Sequence, residues 1–113
     1  MTDFEAQSCE PCRVGAPAAT DEERKTFLAQ HPDWHIAEHE GHPELRRTVT
    51  FPDFAEALAF TDKVGALAEA EGHHPALLTE WGRVTVRWWT HKIGGLHRND
   101  LILAAKTDQI SDS

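Results

Sequence analysis

Between residues 20 and 108 the apolar positions follow first one period and then another, and each change of period marks a new element. Thr20 and Glu23 form a capping-box pair, in which the hydroxyl accepts from an orphan backbone N–H and the carboxylate reaches back. A short helix is predicted from there to about Gln30, stopped by His31-Pro32. Alternation then predicts two strands, Trp34 to Glu38 and Glu44 to Phe51, joined by a turn around Gly41. In the second, Leu45, Arg47, Val49 and Phe51 share one face, and Arg46, Thr48 and Thr50 take the other. Asp53, with Glu56 three residues on, predicts the start of the longest helix. Ala57, Phe60, Val64, Leu67 and Ala68 form its apolar stripe and Gly72 its stop. Two more strands are expected, Ala76 to Glu80 and Arg83 to Thr90, turning at Trp81-Gly82. In the latter, Val84, Val86 and Trp88 face one way and Arg83, Thr85, Arg87 and Trp89 the other. A loop holding Gly94-Gly95 leads to a last helix from about Arg98 to Thr107, packed through Leu101, Ile102 and Ala105.

The order α-β-β-α-β-β-α places the chain in the α+β class, as a four-stranded, mainly antiparallel sheet with the helices packed on one face. The other face is left polar and open, and pairing of edge strands between subunits would cover edges that otherwise invite aggregation. Residues 1 to 19, rich in Ala, Pro, Gly and polar residues without periodicity, read as a flexible leader. Residues 20 to 108 read as one domain and 109 to 113 as a frayed tail.

Composition narrows the class. The 113 residues suffice for one core and not two, and the apolar fraction of 40% is that of a packed domain. A formal net charge of −8 repels nucleic acid and anionic lipid, so no nucleic-acid partner is expected. No apolar run approaches the ~18–20 residues of a membrane span and the acidic start lacks a signal peptide's apolar core, so no membrane partner and a cytoplasmic location are expected. Cys9 and Cys12 supply only half a tetrahedral zinc site, and they read as reduced thiols in the leader.

The candidate chemistry lies in His73-His74-Pro75, His91 and Asp100. Histidine, with an unperturbed pKa of roughly 6.5, both gives and takes protons near neutral pH, which points to acid–base work. A zinc or iron site is the enzymatic competitor. Adjacent histidines in an extended chain point to opposite sides, so His73 and His74 could share one ion only on an unusual backbone. Taken singly, each residue also has a plainer reading: His74 as a helix C-terminal dipole partner, Pro75 as a fixed chain exit, Trp81 as hairpin packing, Glu69 as a solvated helix residue. Asp100, near the start of the last helix, suits capping as well as it suits orienting a histidine. His31, His35, His39, His42 and His97 read as surface or turn residues, and Phe51, Pro52, Trp34 and Trp89 as packing or pocket wall.

The joint spacing goes further. Glu69, three residues, His73-His74-Pro75, five residues, Trp81, nine residues, His91, eight residues and Asp100 resemble the signature of the pterin-4a-carbinolamine dehydratases. Glu-Gly-His-His-Pro, Thr-His-Lys-Ile-Gly-Gly-Leu, Asn-Asp-Leu-Ile-Leu-Ala-Ala-Lys and the leader's Cys-Glu-Pro-Cys-Arg are similar to bacterial members associated with phenylalanine hydroxylation. His97 departs from the Ser or Thr that caps the last helix in many relatives.

The resemblance implies metal-free dehydration of a 4a-hydroxy-tetrahydropterin to quinonoid dihydropterin, the pterin being substrate, with no cofactor. It implies His73 and His91 as the acid–base pair, with the roles of acid and base left open, and His74 as the residue that binds and orients the pterin. Pro75, Trp81, Asp100 and Glu69 complete the implied site, and a homodimer or homotetramer is implied. It also brings an alternative, since an animal member of the family doubles as a dimerisation cofactor and diverged relatives look like assembly helpers: a protein-interaction module.

Overall fold

The computed structural model describes residues 4–7 and 18–111. The elements are α1 (Asp21–Gln30), β1 (His35–His39), β2 (His42–Thr50), α2 (Phe54–Glu71), β3 (Ala76–Glu80), β4 (Arg83–Trp88) and α3 (Arg98–Ser111), with 3₁₀ turns at Phe4–Ala6 and His91–Ile93. The sheet runs β1-β2-β4-β3 with every neighbour antiparallel. Three helices and four strands in the expected order give the α+β arrangement read from the sequence.

Side-chain alternation decides the two faces. Leu45, Val49, Val84, Val86 and Trp88 point to the helix side and are buried, as are Ala57, Phe60, Val64 and Ala68 of α2. Leu67 packs at the edge of this core. In α3 the positions 99 to 105 are all buried, so this helix is enclosed rather than amphipathic. The predicted caps form: Thr20 and Glu23 bond reciprocally, and the Asp53 carboxylate accepts from the Glu56 N–H at 2.8 Å.

Several expectations are corrected. Strands β1 and β2 are shifted by one or two residues, closing a hairpin with His39 opposite His42. Strand β4 ends at Trp88, because the chain turns into the 3₁₀ turn and Thr90 bridges instead to Gly95. The last helix runs past Thr107 to Ser111 instead of fraying. Thr107 is buried against the Trp88 indole N–H, Asp108 accepts from Trp34 and Arg47, and Ile110 packs on the core. The leader is not free at Phe4 to Gln7: Phe4 is buried edge-on against Phe27, and the Lys106 ammonium donates to the Glu5 carbonyl at 2.9 Å. Cys9 and Cys12 lie outside the described residues.

Candidate functional site

The site begins with the end of α2. Gly72 takes the left-handed conformation (φ 64°), which costs glycine no Cβ clash, and the next N–H, that of His73, bonds back to the Ala68 carbonyl at 3.2 Å. This Schellman-type stop fixes where His73 and His74 leave the helix. Opposite them another left-handed glycine, Gly94 (φ 60°), closes the 3₁₀ turn that opens with His91, and Thr90 and Gly95 pair through both of their backbone bonds. The two turns face each other across a cleft of ≈ 270 Å³ lined by Gly72, His73, His74, Thr90, His91 and Lys92. That is room for a small bicyclic ligand. The three histidines singled out by spacing are thus brought together.

Asp100 lies beneath the cleft, fully buried in the first turn of α3. Its Oδ1 accepts from His73 Nε2 at 2.8 Å, and its Oδ2 accepts from the Thr90 hydroxyl at 2.7 Å and the His97 backbone N–H at 2.9 Å. One oxygen of Asp100 thus meets His73 and the other caps the start of α3. As acceptor to three donors, the carboxylate takes the N–H of His73 Nε2, so the tautomer of a neutral ring carries its lone pair on Nδ1. The His73 ring is further stacked on Trp88, centroids 5.9 Å apart and 13° from parallel. His97 keeps the cap that Ser or Thr would provide: its Nδ1 accepts from the Asn99 N–H at 3.0 Å. This is the neutral Nε2–H tautomer, since a backbone N–H can only donate.

His74 differs from its neighbour. Its Nε2 meets Glu69 Oε1 at 2.6 Å, with both side chains mostly exposed. His73 and His74 therefore turn to different carboxylates, as adjacent extended residues should, and among the described residues no group of three or more His, Cys, Asp or Glu side chains is placed to hold a metal ion. Pro75 joins His74 to β3 outside the cleft lining. Trp81 is not brought in: it sits 74% exposed at the β3–β4 turn, separated from Pro75 by the five residues of β3, ~16 Å of extended chain.

His91 is exposed, and its ring rests on Trp89 at 4.6 Å. Trp89 also carries the His42 ring (5.4 Å, 25°) and the Arg87 guanidinium (5.2 Å). Arg87 Nε donates at 2.8 Å to Glu44, which is fully buried on the otherwise polar sheet face and also accepts from Arg46. Burial alone would raise the Glu44 pKa, but hydrogen bonds from Arg87 and then Arg46, with their charges, hold it below the ordinary carboxylate value.

Spacing does not bring Thr90, Trp88 and Trp89 into the site, although alternation along the predicted strand Arg83 to Thr90 puts Trp88 and Trp89 on opposite faces. Of the five histidines read as surface or turn residues, His97 is a buried cap, His42 lies on Trp89, and His31 bonds Asp108 at 2.6 Å. The cleft of ≈ 260 Å³ beside His31 is lined by Asp33, Arg47 and Asp108, whose charges are spent on one another and on His31. Trp34 and Phe51 belong to packing, on Phe27 and Phe60.

Comparison with known proteins converges on one family. A family model described as "Pterin 4 alpha carbinolamine dehydratase" matches residues 17–110. A protein of Syntrophotalea carbinolica named "Putative pterin-4-alpha-carbinolamine dehydratase" is 63% identical over 97% of this chain and 98% of its own length. One of the same name from Marinobacter nauticus is 54% identical over 97% and 99%. Among solved structures, a transcriptional coactivator/pterin dehydratase from Brucella melitensis superposes with a TM-score of 0.74 at 27% identity, covering 84% of this chain and 99% of that one. A pterin dehydratase-like RuBisCO assembly factor of the alpha-carboxysome shares the fold, with a TM-score of 0.59 at 24% identity over 72% and 92%.

Proposed function

The chain belongs to the pterin-4a-carbinolamine dehydratase family, and from that premise we propose that its cleft removes water from a 4a-hydroxy-tetrahydropterin by histidine acid–base catalysis, with no metal or cofactor. The reaction breaks the C4a–O bond and the N5–H bond, and the products are quinonoid dihydropterin and water. The observation that carries this reading is His73 held by a buried carboxylate at 2.8 Å, with His91 across the same cleft.

The carboxylate behind His73 supports it as the base. A proton taken from N5 onto Nδ1 makes an imidazolium whose positive charge is paired with Asp100. His91, solvent-exposed, then protonates the departing hydroxyl and is recharged from water. Each transfer is worth on the order of 10²- to 10⁴-fold. His74, its ring turned by Glu69, orients the pterin. In the cell this would recycle the pterin of an aromatic amino-acid hydroxylase. Exposed Leu78 on edge strand β3 and exposed Trp81 in the turn after it support assembly into a homodimer or homotetramer.

The test is dehydration of a synthetic 4a-hydroxy-tetrahydropterin, followed by absorbance. Acceleration over buffer that survives a chelator, and that falls in His73→Ala and His91→Ala, is expected. Unchanged rates in both variants, or turnover lost on chelation and restored by zinc, would overturn the reading. The presence of His73, His74 and His91 in one cleft favours an enzyme over an interaction module alone.

A further inference from the structure

Two histidines proposed to move protons across one small cleft need comparable positional precision, yet only one of them has a buried anchor. His73 is held by Asp100 and by stacking on Trp88. His91 is exposed. An exposed imidazole samples several rotamers, and losing them on reaching the reactive geometry costs rate. Its aromatic neighbour is Trp89, two residues earlier, at 4.6 Å and 47°.

Trp89 is itself restrained. His42 stacks on it, the Arg87 guanidinium lies over its ring, and Arg87 is fixed by Glu44, a carboxylate with no exposed surface. Glu44 and Trp89 are the next residues along their chains beyond the Leu45–Trp88 pair that ends the β2–β4 ladder. A chain of contacts thus runs from a buried charge on the open sheet face, through a cation–π contact, to the exposed histidine. Glu44, Arg46 and Arg87 alternate with the core-facing Leu45 and Trp88 and so lie on the face away from the helices, where the packing of the core does not require them.

We propose that Trp89, restrained by Arg87 and Glu44, is the positioning residue for His91, as Asp100 is for His73. The proposal rests on the reading of His91 as a proton carrier, and it concerns geometry, not contact with the pterin. Trp88 and Trp89 then serve the two histidines from opposite faces of the same strand end.

The test is a double-variant cycle with a spectroscopic arm. Trp89→Leu should lower kcat about tenfold with KM within about twofold, as expected for a reacting group loosened by a fraction of an ångström. Trp89→Phe should recover most of the loss. In a His91→Ala background Trp89→Leu should cost nothing further. The ring-current shift of the His91 Cε1 proton should disappear in Trp89→Leu while the His73 resonance keeps its position. Arg87→Gln, which loosens the indole without removing it, should lower kcat about threefold and reads the same cycle if Trp89→Leu does not fold. Equal losses in both backgrounds, a loss carried by KM, or an unmoved His91 resonance would overturn the proposal. If the wild-type protein does not dehydrate the pterin at all, the proposed function falls, and the His91 resonance alone then upholds or overturns the positioning.

Discussion

The helix side and the open side of strand β4 hold their histidines by different physics. On the helix side, His73 is 11% exposed, pinned by a buried carboxylate that two further donors satisfy, and its tautomer is fixed. On the open side, His91 is in water, restrained by an aromatic ring and free to exchange protons with solvent. The difference suits a reaction that takes a proton at one atom and delivers one at another. A base profits from a counter-charge that waits for the proton, and an acid from quick recharging.

The contrast breaks most severely at Asp100. Asp100→Asn presents an amide N–H to His73 Nε2 and so reverses the tautomer, and kcat should fall about 10²- to 10⁴-fold in single-turnover assays, with folding retained. A loss of less than tenfold would mean that the carboxylate only caps α3. Asp100→Ala strands three buried or part-buried donors and should lower unfolding free energy by about 3 kcal/mol in urea titrations.

The next effect separates stability from activity. His73→Ala should cost about 1–2 kcal/mol of stability because it empties a stacked, part-buried site, whereas His91→Ala should stay within about 0.5 kcal/mol. Equal stability losses would erase the distinction between the two sides.

A third effect tests the open-side anchor by pH. The Glu44 pKa is lower folded than unfolded, so its stabilising contribution is fully present above the unfolded value, roughly 4.3, and is lost as pH falls through the folded value. The stability gap between wild type and Glu44→Gln should therefore be constant near neutrality and shrink below about pH 4. A gap that grew on acidification would mean that the arginines do not hold the charge. Smallest is Glu69→Ala: an exposed pair with His74 is worth at most about 0.5 kcal/mol, so calorimetry should register almost no change in stability.

Much of the fold was legible because alternation and capping are local. Thr20, Asp53 and Gly72 sit where the sequence placed them, since each satisfies orphan backbone groups of its own helix. The extension of α3 was not legible, because what holds it, Asp108 with His31, Trp34 and Arg47, is contributed by residues more than sixty positions away. The burial of Phe4 escaped for the same reason. In the site, spacing singled out the three histidines and Asp100 but could not show which carboxylate each would meet. It included Trp81, which lies outside the cleft within one chain, and omitted Trp88, Trp89 and Thr90, whose roles depend on which face of β4 meets which turn.

Whether His73 and His91 act as a pair is read from the dehydration rate of the His73→Ala/His91→Ala double variant set against the wild type and the two single variants. Singles each slowed by about 10²-fold or more, and a double variant about as slow as the slower single, are expected. A folded double variant that keeps more than about a tenth of the wild-type rate would contradict that pairing.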